Sequence, residues 1–310
     1  MMRLSNAAMG RGLMVLSIGT RFGVLVLICL LALWTEYLNL KVGYGNARLV
    51  ELSAGWGMRL FYEASDAFFS FFGDAVVVAQ KNAGMTWSIR VGGVPFTDPV
   101  ALLSVLLQGR VPELGFALGV LLPLLLAAFL GRVFCAYVCP ASLLFFAIAR
   151  VRRLLGSFFY FFDLKVGQSM AWGVLCGSLA VVLYWGHGVW TLILPYFAMG
   201  QTIFHSIALG ALSVSVYSLV VFTILDLCLG LQFTCRYVCP TGRLLGWVGH
   251  RARVVVRREA TRCVQQCTAC ADICPLAVSP KLDQTRDCSL CGECLVACPT
   301  QCLSIGRKSK

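Results

Sequence analysis

The chain has 310 residues, of which 59% are hydrophobic and only 13% charged. A soluble domain carries ~25% charged residues, so this apolar excess requires a membrane and excludes both a disordered chain and a small disulfide-stapled secreted domain. Twenty-six Lys and Arg against 14 Asp and Glu leave a net +12, which in so apolar a chain reads as positive-inside loops and not as a nucleic-acid surface.

A hydrocarbon core ~30 Å thick takes ~20 apolar residues in a helix. The first span is expected at Val15–Trp34, with a dense stretch, Phe22–Trp34, that Arg3, Arg11 and Arg21 precede. No small-x-small cleavage pattern follows it, so it reads as a retained anchor and not a removed signal peptide. Residues 36–113 form a long outward loop. Within it, Trp56, Phe61, Phe68, Phe69, Phe71 and Phe72 predict an amphipathic stretch at the lipid headgroups. The second span is Gly115–Gly131, with Pro123 a tolerated kink. The third is Ser169–Trp185 and the fourth Ile207–Leu231, joined by an aromatic loop, Gly186–Ser206, that dips into the interface. His187 and His205 flank that loop and read as ordinary interfacial histidines, not as quinol contacts or haem ligands.

Loop charge orients the spans. The N-terminus, residues 132–168 and residues 233–310 carry net +3, +4 and +7, whereas residues 36–113 carry −1 and residues 186–206 no charged side chain. Every basic segment falls on one side, which the positive-inside rule makes cytoplasmic, with both termini there.

Two hexads repeat 100 residues apart, each after an outside-to-inside span. They are Cys135-Ala136-Tyr137-Val138-Cys139-Pro140 and Cys235-Arg236-Tyr237-Val238-Cys239-Pro240. Cys at i and i+4 share a helical face, so Cys135, Cys139, Cys235 and Cys239 could form one four-thiol site. It would hold a metal or third iron–sulfur centre, cycle as dithiols, or only pack. Packing does not explain why the whole hexad recurs, and the spacing leaves the other two open. Asp226, inside the fourth span, is the best intramembrane proton acceptor, because acids there are costly and usually functional; the competing reading pairs it with Arg or makes it a cap.

The tail carries the strongest signal. Cys288, Cys291, Cys294 and Cys298-Pro299 read C-x2-C-x2-C-x3-C-P, the bacterial ferredoxin run whose fourth Cys ligates the other cluster. Cys263, Cys267, Cys270 and Cys274-Pro275 precede it, with a first gap of three instead of two. Two [4Fe–4S] clusters are expected, one on Cys263, Cys267, Cys270 and Cys298, the other on Cys288, Cys291, Cys294 and Cys274; Cys302 is a possible substitute ligand. Zinc favours four ligands about a long spacer, and too few residues follow Cys270 for a radical-SAM barrel. Cys29, Cys176 and Cys228 read as packing. The expected architecture is an all-α, four-helix polytopic domain over residues 1–250 and a small α+β two-cluster ferredoxin-like domain over 251–310.

Together, the two C-x3-C-P hexads and the tandem ferredoxin tail resemble the NapH/MauN family of ferredoxin-type membrane proteins, related in logic to NosR- and CcoG-like membrane ferredoxins. Val94-Pro95-Phe96-Thr97-Asp98-Pro99, Leu107-Gln108-Gly109 and Gly131-Arg132-Val133-Phe134-Cys135 are similar to segments of that family, which also carries an acid at the place of Asp226. The resemblance covers roughly residues 90–302 and leaves 40–90 unassigned. It implies a bacterial inner-membrane protein that transfers electrons between the quinone pool and a redox partner, such as a periplasmic oxidoreductase or a ferredoxin-like subunit. The resemblance implies that the chain acts as a quinol dehydrogenase component or electron carrier, active only within a complex. A maturation factor that keeps a periplasmic metal centre reducible, or a plain anchor, are the other classes. No C-x-x-C-H haem motif or nucleotide-binding glycine fingerprint is present.

Overall fold

The computed structural model describes residues 6–164, 166–208, 210–264, 266–282 and 287–307. Arg3 and Lys165, counted above for charge, and the side chain of His187 lie outside the described residues.

Helix α1 (Asn6–Gly43) is one uninterrupted rod of 38 residues. At ~1.5 Å per residue it exceeds the ~30 Å hydrocarbon core, so it projects beyond the expected Val15–Trp34 span. Gly10, Ser17, Arg21, Ile28 and Leu31 are buried, at spacings of three, four and seven that make a single stripe. Arg21 is therefore not a loop charge. It stands in this helix, turned into the protein.

The unassigned outward segment folds onto the far end of α1. Helices α2 (Ala47–Ala54), α3 (Trp56–Phe71) and α4 (Ala75–Gln80) enclose a core of Tyr37, Leu40, Val50, Tyr62, Phe69 and Ala79. The expected amphipathic stretch is α3, with Tyr62 and Phe69 inward while Phe68 and Phe71 stay exposed. Tyr37 donates to Asp66 at 2.6 Å, and Lys41 pairs with the same carboxylate at 2.8 Å. Strands β1 (Gly84–Met85), β2 (Ser88–Val91) and β3 (Val94–Thr97) follow as an antiparallel meander. Gly92 and Gly93 make the β2–β3 turn at φ +60° and +84°, both in the left-handed region that a two-residue hairpin turn of this kind needs. Asp98 then caps α5 (Pro99–Leu107), accepting from Val100 N and Ala101 N.

The second expected span is two helices, α6 (Leu114–Leu118) and α7 (Leu121–Leu130). Pro123 has no N–H to offer the carbonyl four residues back. That carbonyl, of Gly119, instead accepts from Thr97 N at 3.1 Å. A Cβ at Gly119 would sit 2.7 Å from Thr97 Oγ1, so glycine and proline together dock the end of β3 against the helix break.

Helices α8 (Val133–Tyr137) and α9 (Ala141–Leu155) flank the first hexad, and α10 (Gln168–Trp185) is the third expected span. The expected interfacial loop instead turns inward as α11 (Trp190–Ile193) and α12 (Pro195–Ala208), burying Trp190, Leu194 and Phe197 against Phe145, Val182 and Phe222. The fourth span is shorter than expected. Gly210 takes φ +59°, and Ser213 Oγ accepts from Ser215 N, so α13 (Ser215–Leu229) starts well after Ile207. Among the described residues α1 and α10 are long and apolar enough to cross a membrane, while Leu114–Leu130 and Ser215–Leu229 are shorter apolar stretches.

Helix α14 (Pro240–Val248) follows the second hexad. In the tail, β4 (Val254–Arg258) pairs antiparallel with β5 (Leu303–Arg307), enclosing the short helices α15 (Ala269–Asp272) and α16 (Glu293–Ala297). The first turns of α1 lie on α16. A Cβ at Gly10 would meet Leu295 and Val296 at 2.9 Å. Gly10→Val overpacks that contact and is expected to cost about 1–3 kcal/mol. Thermal melting of the full chain reads it as a lower midpoint, and an unchanged midpoint would mean that α16 does not rest on α1.

Candidate metal centres

The eight tail cysteines fall into two sets. Cys263, Cys267, Cys270 and Cys298 line one cavity of about 370 Å³, and Cys274, Cys288, Cys291 and Cys294 line another of about 370 Å³. Thiols far apart in sequence thus share a wall, in the crossed pairing that the ferredoxin spacing implies. Cys302 joins the first wall with its Sγ 3.5 Å from that of Cys298. Among the described residues, no three His, Cys, Asp or Glu groups gather tightly enough for a single metal ion; the thiols surround space instead of meeting at a point.

Local backbone fits these walls to an anionic cluster. Leu290 N donates to Cys288 Sγ at 3.4 Å and Val278 N to Cys274 Sγ at 3.3 Å, bonds that favour thiolate sulfur. Burial pushes the Cys288 and Cys291 thiols up to about 12. A bare thiolate is costly there, and only a partner that binds the sulfur makes deprotonation favourable.

Both hexads use one turn. Cys139 N donates to Phe134 O at 3.0 Å and Cys239 N to Thr234 O at 2.8 Å, each five residues back. The second forms a π-helical turn, Thr234–Val238, a widening found often at functional sites. The next residue is proline, which drives the second Cys out of the helical region; Cys239 sits at φ −70°, ψ 112°. The motif is therefore a widened helix end and not the regular i, i+4 face expected. It still gathers the four thiols. Cys139, Cys235 and Cys239 pack on one core, and Cys135 lies within electrostatic reach of all three.

Two arginines that the sequence did not single out serve this site. Arg132, 3% exposed, donates to Cys235 O at 2.8 Å and faces Asp287 at 3.7 Å. Arg21, 5% exposed, bonds Ser17 and reaches Ser142, whose hydroxyl donates to Cys139 O at 2.7 Å. Both stand within electrostatic reach of the motif cysteines.

The hexads also hold the tail. Tyr137 Oη donates to Leu290 O at 2.9 Å, inside the Cys288–Cys291 loop. Arg236 donates to Pro275 O at 2.7 Å and Cys274 O at 3.2 Å. Cys135, Cys235 and Cys291 border one cavity of about 380 Å³, together with Arg21 and Glu293.

Asp226 is buried, and its Oδ1 accepts from Thr234 N at 2.7 Å, so it anchors the turn that carries Cys235. Its Oδ2 has no hydrogen-bond partner. Arg152 reaches Asp226 through the backbone carbonyl, at 3.2 Å. His205 bonds Gln201 O in its own helix at 2.9 Å through Nδ1.

These features set two cysteine repeats against a tail with two four-cysteine sets, an arrangement suited to iron–sulfur electron transfer. A family model described as "4Fe-4S binding domain" matches residues 114–157 and 209–258; each stretch contains one hexad, and the eight tail cysteines lie outside both. The chain is homologous to the NapH and MauN ferredoxin-type proteins. It is 28% identical over 233 residues to "Ferredoxin-type protein NapH" of Escherichia coli, covering 70% of this chain and 77% of that protein. It is 27% identical to NapH of Haemophilus influenzae (68% and 75% covered). It is 28% identical to "Methylamine utilization ferredoxin-type protein MauN" of Methylorubrum extorquens (68% and 74% covered). No solved structure matches the chain.

Asp226→Asn keeps an oxygen for Thr234 N–H, whereas Asp226→Leu strands that buried donor at about 1–3 kcal/mol. The Asn variant is expected to melt close to the native protein and the Leu variant clearly below it; equal melting of Leu and native would show that this bond does not hold the turn.

Proposed function

We propose that the chain carries electrons through a membrane, between the quinone pool and a redox partner such as a periplasmic oxidoreductase or ferredoxin-like subunit. Four spans, α1, α6–α7, α10 and α13, would cross an inner membrane with both termini in the cytoplasm. The positive loops support that orientation, and so does the contact of the N-terminal turns of α1 with the tail helix α16. The tail would hold two [4Fe–4S] clusters, one on Cys263, Cys267, Cys270 and Cys298 and one on Cys274, Cys288, Cys291 and Cys294. When bound, such clusters supply one-electron redox steps.

One observation carries the reading: side chains of both hexads bond the loops of the same thiol set, through Tyr137 to Leu290 O and Arg236 to Cys274 O. A plain anchor has no need of that register. A relay does, because its centres must stay at fixed short separation. Cys135, Cys139, Cys235 and Cys239 are the membrane end of the relay, as a further metal or iron–sulfur centre or as dithiols, and Arg21 and Arg132 offset the negative charge that arrives there.

Anaerobic EPR of the purified protein, with iron counted on the same sample, tests this. About eight irons are expected from the tail alone, and more would place metal at the hexads. Signals are expected with quinol as well as with dithionite, whereas dithionite-only signals would favour the maturation reading. Cys291→Ser is expected to remove one cluster's signal, and an unchanged spectrum refutes its ligand role. Cys139→Ser or Cys239→Ser should block quinol reduction while dithionite still reduces the tail; full activity would reduce the hexads to packing.

A reporter domain fused after Lys310 is expected to report the cytoplasm, and a periplasmic result overturns the topology.

A further inference from the structure

The largest empty space among the cavities described lies away from the thiols. It is a slot of about 1100 Å³, walled by α1, α7, the β-meander and the first hexad. Val24, Leu27 and Ile28 of α1 face Leu122 and Leu126 of α7 across it, and Val138 and Pro140 of the hexad close one wall. Leu122 is 48% exposed on a helix that the composition places in lipid, so the slot is reached from the bilayer and not from water.

Two polar side chains in this apolar lining are short of partners. Asp98, 7% exposed, uses Oδ1 to accept from Val100 N at 2.7 Å and from Thr241 Oγ1 at 3.3 Å. Its Oδ2 has no hydrogen-bond partner, and neither has Thr86 Oγ1 in the same wall. The hydroxyl of Tyr196 completes the polar end, bonded to Thr241 Oγ1 at 3.4 Å and standing beside the Asp98 carboxylate as a side-chain donor alongside Thr241. Leaving a buried carboxylate oxygen without a donor is costly. An apolar slot open to lipid with few convergent polar groups is the form of a small-molecule site. The missing group is a hydroxyl donor carried on an apolar body.

We infer that this slot binds the ring of a lipid-soluble quinol, with a ring hydroxyl donating to Asp98 Oδ2 and the apolar tail lying between α1 and α7. The inference rests on the electron-carrier reading above and gives it an entry point. It moves the quinol-facing acid from Asp226 to Asp98. Pro140 in the wall puts the ring beside the backbone of Cys139, a short step from the four thiols.

The test uses the full-length protein in detergent and heptyl hydroxyquinoline N-oxide, a fluorescent quinol analogue whose emission is quenched on binding. Saturable quenching at one site per chain is expected. Leu126→Trp fills the slot and should abolish it. Asp98→Asn keeps an N-cap of equal quality and should weaken binding by about tenfold or more, because an amide NH2 takes the place of the accepting Oδ2. The dithionite-reduced EPR spectrum shows that each variant is folded and loaded. If both variants bind the analogue like the native protein, the slot is not the site. Loss of analogue binding in the variants, with no reduction of the native clusters by quinol, would uphold the slot and sink the relay. Normal quinol reduction in both variants would uphold the relay and sink the slot.

Discussion

Proline after cysteine is the constraint on which the rest of the structure depends. The chain has four Cys-Pro pairs, at 139–140, 239–240, 274–275 and 298–299. Proline removes a donor and denies the residue before it the helical region, so each of these helices or turns must stop at its thiol. Cys239 at φ −70°, ψ 112° and Cys298 at φ −75°, ψ 111° are nearly superimposable in backbone. The consequence continues past the proline in the tail. Ala277 and Gln301, each three residues after its Cys, take φ +52° and +51° and donate to the carbonyls of Cys274 and Cys298. One dipeptide thus sets where the sulfur stands in both halves of the molecule.

The tail is held against the membrane body by side chains that cannot let go cheaply. Arg236 donates to Pro275 O in the tail, and Arg132, nearly sealed from water, faces Asp287 there at 3.7 Å. A buried guanidinium that loses its acceptors is an uncompensated charge, whose cost of several kcal/mol far exceeds that of an exposed ion pair. Glu293, also buried, pairs with Arg153 at 3.5 Å and ties α16 to α9. These interactions are weak arguments for overall stability and strong ones for register. A relay needs register, since the separation of its centres sets how readily charge passes.

The cysteine runs were legible because their spacing is local. Crossed pairing of Cys274 and Cys298 follows from where Cys-Pro ends each run, and the cavities show the same sets. Spans one and three were legible as apolar runs free of proline. The fourth was not, because Ile207–Leu231 is continuous in hydropathy while its backbone turns at Gly210. Arg21 was misread for a similar reason. An arginine before an apolar stretch looks the same whether it faces water or protein, and only the packing of α1 against the first hexad decides. The segment 186–206 reads as interfacial because its aromatics carry no periodic signature; Trp190 and Phe197 are core residues only once α11 and α12 fold back.

Asp98 and Asp226 show the limit of composition most clearly. Both are acids in apolar surroundings, and both leave one carboxylate oxygen without a partner. Both also support the second hexad, Asp226 through Thr234 N beside Cys235 and Asp98 through Thr241 beside Pro240. Rarity in a membrane pointed to Asp226, which lies inside the apolar run, whereas Asp98 sits in a polar-looking loop between two prolines. The fold sets the two in different surroundings. Asp226 is 1% exposed under the turn it anchors, so a proton could reach it only through local opening. Asp98 borders an apolar slot that is open at the surface of the protein. An acid can serve exchange only where a donor can approach it, and approach is a property of the walls around the carboxylate, which a linear sequence does not contain.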